Sequence, residues 1–103
     1  MSQENKYELV VCIVNSGFSE NVMAAARAAG AKGGSIIRGR GSANPEAEEF
    51  FNISIQPDKE VVICLVPVDI KDEVMKSVYK NCGLSTEGSG IVFSLPVSRT
   101  TLE

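Results

Sequence analysis

Gly83-Leu-Ser-Thr-Glu-Gly-Ser-Gly-Ile-Val-Phe-Ser-Leu-Pro-Val97 runs from a small, polar, glycine-punctuated loop straight into an apolar strand, and the reading of the chain turns on that junction. Glycine has no Cβ, so backbone N–H groups in such a loop can approach a bound anion, and positive φ costs little. Ile91–Leu95 is short, apolar and rich in β-formers, which makes it a strand that Pro96 limits. A second glycine group, Gly30, Gly33, Gly34, Gly39 and Gly41, brackets Ser35–Arg38, so eight of the nine glycines fall in two patches. The expectation is that the two patches meet around a ligand.

Working backwards from the loop, Ile70, Val74, Val78 and Cys82 recur every fourth residue, while Lys71, Lys76 and Lys80 are expected to look outward. That spacing predicts a helix with Asp69 as its cap and Gly83 as its stop. Before it, Glu60–Val66 is an apolar strand closed by Pro67. Phe51, Ile53 and Ile55 alternate with Asn52 and Ser54, the period of a half-buried strand, and Gln56-Pro57-Asp58 turns the chain. At the other end, Tyr7–Val14 is a strand broken by Asn15-Ser16-Gly17. Ser19 then caps a helix with Val22, Ala25, Ala26 and Ala29 on its inner face, and Gly30 ends it. Ser35–Arg38 makes a second short strand, and Gly39–Pro45 a mobile loop.

The order is β-α-β-β-α-β with an extra hairpin strand, an α+β, ferredoxin-like split βαβ sandwich with both helices on one sheet face. Tyr7–Val14 and Glu60–Val66 are apolar at both parities, so the other face also needs a cover. The chain contains no third layer. The economical cover is a second copy, which predicts a homo-oligomer.

The chain has 103 residues, 44% hydrophobic and 22% charged, enough for one domain over residues 1–101 with a single core. Leu102 and Glu103 read as a cloning remnant. No apolar run approaches a membrane span and the N-terminus lacks a signal-peptide centre, so the expectation is a cytoplasmic protein. A net charge of −3 argues against a nucleic-acid surface. Histidine is absent, and Cys12, Cys64 and Cys82 sit apart inside apolar segments, which reads as buried thiols rather than a zinc or redox site. With no nucleophile and base in view, the reading is non-enzymatic, with no tightly bound cofactor. Glu46, Glu48 and Glu49 read as solvated acids, a cation site being the other option.

Two stretches carry a family resemblance. Glu87-Gly-Ser-Gly-Ile-Val-Phe93 is similar to the glycine loop and final strand of PII-type signalling proteins, and Gly30-Ala-Lys-Gly-Gly-Ser-Ile-Ile-Arg-Gly-Arg-Gly41 resembles their second strand leading into the effector loop. Ala47–Val66 matches the strand, proline turn and strand that follow. The resemblance implies a homotrimer with nucleotide sites in the clefts between subunits. It also implies control of a membrane transporter or metabolic enzyme through the loop, here residues 40–49. Carried onto this chain, it gives Ser35, Ile37, Arg38, Gly39, Arg40, Gly41, Glu87, Gly88, Ser89, Gly90 and Arg99 as ligand-binding residues. Gly90 stands where typical members place a phosphate-contacting lysine, the loop has no tyrosine for uridylylation, and Arg99 alone remains of a basic tail. These departures favour AMP or ADP over ATP, or a bicarbonate-like anion, as effector. An oligomeric interaction module without a small-molecule ligand is the alternative.

Overall fold

The computed structural model describes residues 6–41 and 58–102. Its elements are β1 (Tyr7–Asn15), α1 (Ser19–Ala28), β2 (Ser35–Arg40), β3 (Asp58–Pro67), α2 (Val68–Cys82) and β4 (Ile91–Pro96). The strands form one antiparallel sheet in the order β2-β3-β1-β4, with both helices packed on the same side. This is the ferredoxin-like order expected from the sequence. The expected strand Phe51–Ile55, the acidic group Glu46, Glu48 and Glu49, and residues 42–49 of the effector loop lie outside the described residues. Among the described residues no helix is long and apolar enough to cross a membrane.

The central strands β1 and β3 bury the interior residues of one parity. Val10, Cys12 and Val14 of β1 and Val62, Cys64 and Val66 of β3 meet Val22, Met23, Ala25 and Ala26 of α1 and Val74, Val78 and Cys82 of α2. Alanine on the inner face of α1 lets the helix approach the sheet, so the residues beneath it are valines and cysteines rather than leucines. Each fully buried valine contributes about 1.5–3 kcal/mol of transfer free energy. The opposite parity makes three rows: Ile37, Val61, Ile13 and Ile91; Ile63, Val11 and Phe93; and Leu65, Leu9 and Leu95. No described element covers these rows, and Ile91, Phe93 and Leu95 are 53%, 38% and 48% exposed.

Several local expectations change. Asn15 does not break β1 but is its last residue, buried and paired with Lys59. Gly39 and Arg40 belong to β2 rather than to a loop, because β3 supplies their pairing partners Lys59 and Asp58. Arg40 Nε lies 3.3 Å from Asp58 Oδ1, an exposed ion pair.

Ser19 is the first residue of α1 and not its cap; Phe18 holds the cap position without a side-chain bond. Asp69 lies in the first turn of α2, after Pro67 at the cap. Lys71 does not look outward: its Nζ sits 3.0 Å from Asp72 and 3.8 Å from Glu8. Gly30 ends α1 as expected, at φ +109°.

Candidate functional site

One end of the sheet gathers the C-terminus of β1, the start of β3 and the loop between α2 and β4. That loop is closed at its base, where Gly83 and Gly90 form a parallel bridge and the Gly90 N–H donates to the Cys82 carbonyl at 2.7 Å. A Cβ on residue 90 would drive into that carbonyl and press on Val14 and Cys12, so packing alone demands glycine there. Inside the ring, Thr86 donates its backbone N–H and its hydroxyl to the Gly83 carbonyl at 3.0 and 2.7 Å, and the Ser89 N–H donates to the Thr86 carbonyl. Ser89, at φ +51°, takes a left-handed turn that a short polar side chain tolerates better than a branched one. The N–H groups of Glu87 and Gly88 have no acceptor among the described residues.

The loop is tied down by Asn15, only 1% exposed. Its backbone N–H donates to the Gly88 carbonyl at 2.8 Å and its side-chain Nδ2 donates to the Glu87 carbonyl at 3.0 Å. Its Oδ1 accepts from Lys59 Nζ at 2.6 Å. The aliphatic stem of Lys59 lies beside Gly41, so one lysine spans from the end of β2 to the clamp on the glycine loop. Partial burial pulls the Lys59 ammonium below the usual lysine range. The neighbouring backbone is joined too, since the Ser16 N–H donates to the Asp58 carbonyl at 3.1 Å.

On the helical side of the same end, Glu60 does the capping that Ser19 was expected to do. Its Oε1 accepts from the N–H groups of Gly17 at 2.9 Å and Ser19 at 3.3 Å, at the start of α1. The Gly17 bond holds the carboxyl below the usual carboxylate range, with Ser19 and Arg38 acting in the same direction against the opposing effect of burial.

The eleven predicted site residues fall in three places. Ser35–Arg40 form edge strand β2 with Gly41 just beyond; Glu87–Gly90 precede the opposite edge strand, β4; Arg99 follows the far end of β4. Two strands separate β2 from β4, a distance of about 14 Å at the usual strand spacing. Of the second glycine patch, Gly39 and Gly41 therefore share one end of the sheet with the loop, Gly30, Gly33 and Gly34 lie toward the other end of β2, and the two patches do not meet within a single protomer. What joins them is Lys59 and Asn15.

Sequence reasoning missed Asn15, Lys59 and Glu60. The available signal was polar residues at the ends of two strands whose interiors are apolar on both faces. Two shallow depressions of about 560 Å³ each lie elsewhere, one lined by Ala29, Ser77 and Lys80 and the other by Met75, Tyr79 and Val92.

The three cysteines are buried and reduced, and burial pushes the Cys12 thiol up to about 12, with Cys82 and Cys64 adding to it. Burial raises Cys64 and Cys82 in the same way. Among the described residues no cluster of metal-ligating side chains exists.

Comparison with solved structures places this geometry. The chain superposes on citrate-bound PII from Arabidopsis thaliana with a TM-score of 0.68 at 22% identity, covering 92% of this chain and 78% of that one. It has the PII fold. A PII-like signalling protein from Thermus thermophilus matches with a TM-score of 0.66 at 14% identity, covering 88% of this chain and 85% of the other. The PII fold is also matched within a larger protein, a Bacillus cereus protein related to NIF3, with a TM-score of 0.70 at 16% identity, over 95% of this chain and 27% of that one. No protein-family model matches the sequence, and no curated protein matches it.

Proposed function

We propose that this chain is a non-enzymatic PII-like signalling protein that works as a homotrimer and senses a small anion in the clefts between subunits. The observation that supports this most is the clamped glycine loop: within a PII fold, Asn15 holds it at the end of the sheet, where the N–H of the exposed Glu87 has no acceptor among the described residues. Backbone donors in a glycine-rich loop suit phosphate or carboxylate oxygens. The anion is an adenine nucleotide, AMP or ADP rather than ATP, because Gly90 stands where the resemblance places a phosphate-contacting lysine. Bicarbonate or a polycarboxylate is the other class, and the citrate bound by the Arabidopsis thaliana PII falls in it.

Assembly completes the site in this reading. With the two patches about 14 Å apart in one protomer, a common cleft forms when β2 of one copy approaches the glycine loop of the next. The uncovered rows of Leu, Ile, Val and Phe supply the driving force. Residues 40–49 then carry the signal to a transporter or enzyme. Titration calorimetry with AMP, ADP, ATP, cyclic AMP, bicarbonate and citrate tests the ligand. Heat from at least one at millimolar concentration or below is expected, and silence from all six removes the sensing function.

A ligand-free interaction module is the second reading, and Gly90 favours it, since packing explains that glycine without an anion. A thermal-shift screen separates the two. A ligand at 100 times its Kd stabilises the folded state by about 2.7 kcal/mol, whereas a flat screen with an intact oligomer selects the module.

A further inference from the structure

We infer that Asn15 and Lys59 are the positioning residues of the glycine loop, with Lys59 acting on Glu87 and Gly88 only through the Asn15 side chain. Lys59 bonds to no atom of residues 83–90; its one side-chain hydrogen bond among the described residues is to Asn15 Oδ1 at 2.6 Å. Asn15, in turn, is the sole described residue of β1 whose side chain hydrogen-bonds to the loop, through Nδ2 to the Glu87 carbonyl at 3.0 Å.

The chemistry makes the two bonds interdependent. A primary amide has an acceptor end and a donor end on one rigid plane, so fixing the oxygen fixes where the nitrogen points. A buried amide at this site could turn over, placing its nitrogen toward β3 and its oxygen toward the Glu87 carbonyl, where two acceptors would face each other. The Lys59 ammonium forbids that orientation, because it would then face an N–H donor. With the amide held, the Glu87 and Gly88 carbonyls both turn inward to Asn15, and their peptide planes are set from two sides. Burial supports the assignment. Asn15 has no solvent to supply a replacement donor to its Oδ1 if Lys59 leaves.

Amide hydrogen exchange on the ligand-free protein tests this, so that its failure is distinguishable from a failure of anion binding. Lys59→Met is expected to raise exchange at Asn15, Ser89 and Gly90 by about tenfold while leaving Val74 and Val78 in α2 unchanged. Lys59→Arg keeps a donor and is expected to restore protection. Asn15→Asp keeps an acceptor for Lys59 but loses the donor to Glu87, so the same loop amides are expected to exchange faster. Adding Lys59→Met to Asn15→Ala, which leaves no buried group for Lys59 to pair with, should change these amides no further than Asn15→Ala alone. Loop exchange unaffected by Lys59→Met would overturn the inference, as would additive effects in the double variant or a uniform rise that includes α2.

Discussion

The two faces of the sheet use different residues for the same apolar task. Under the helices the strands present Val10, Cys12, Val14, Val62, Cys64 and Val66, all small. On the uncovered face, beside Val11 and Val61, they present Leu9, Ile13, Ile37, Ile63, Leu65, Ile91, Phe93 and Leu95, mostly larger side chains with more area to bury. Close approach of an alanine-faced helix requires the first set. The second set has no partner within the described chain, although burying each such side chain is worth about 1.5–3 kcal/mol. On the reading proposed above, the helical face is finished by folding and the other face by assembly.

The largest effect that would test this contrast is expected from Phe93→Glu, which places a charge in the middle row of the uncovered face. Light scattering should show a monomer at micromolar concentration where the parent is an oligomer, and an unchanged mass would end the assembly argument. Next comes a matched pair. Val14→Ala, at a fully buried position under the helices, should cost about 2–3 kcal/mol in denaturant unfolding of the Phe93→Glu monomer. Val61→Ala, half-buried on the open face, should cost less than about 1 kcal/mol in the same background. Equal costs would erase the distinction between the faces.

Glu60 sharpens the helical side through its pH dependence. Its folded pKa lies below the ordinary 4.5, so its contribution is fully present above that value and is lost as pH falls through the folded pKa. Glu60→Gln should therefore be less stable than the parent by about 1–2 kcal/mol at pH 7, with the gap closing below pH 4.5. A gap that widens on acidification would reverse the sign and refute the cap. The smallest expected effect is chemical. With Cys12 pushed up to about 12, a thiol reagent at pH 8 should leave all three cysteines of the folded protein unmodified over hours and react with all three in denaturant. Fast reaction in the folded state would mean that the helical face opens.

Much of this architecture was legible in the sequence because its signals are local. The apolar runs at Leu9–Val14 and Val61–Val66, the four-residue spacing of Ile70, Val74, Val78 and Cys82, and the stop at Gly30 each report on a few consecutive residues. What escaped depends on contacts across the chain. Glu60 caps α1 from 41 positions away in sequence from Ser19, so no rule about nearby residues could find it. Lys59 and Asn15 are separated by 44 positions, and each looks ordinary alone, a strand-start lysine and a strand-end asparagine. Arg40 was misplaced because an edge strand exposed along its whole length carries no hydrophobic alternation, and its pairing comes entirely from β3. The separation of the two glycine patches follows from strand order, which sets β2 and β4 at opposite edges even though their glycines look like halves of one motif.

The closed base of the glycine loop affects how such a chain can vary. Gly83 and Gly90 are tied to each other, and Gly90 to the last turn of α2, so β4 takes its starting point from that knot and not from the residues that bulge beyond it. The exposed side chains at Ser85 and Glu87 can change while the strand below keeps its register. Selection can therefore act on what the loop displays, through changes confined to a few consecutive codons, without reopening the problem of how the sheet is built.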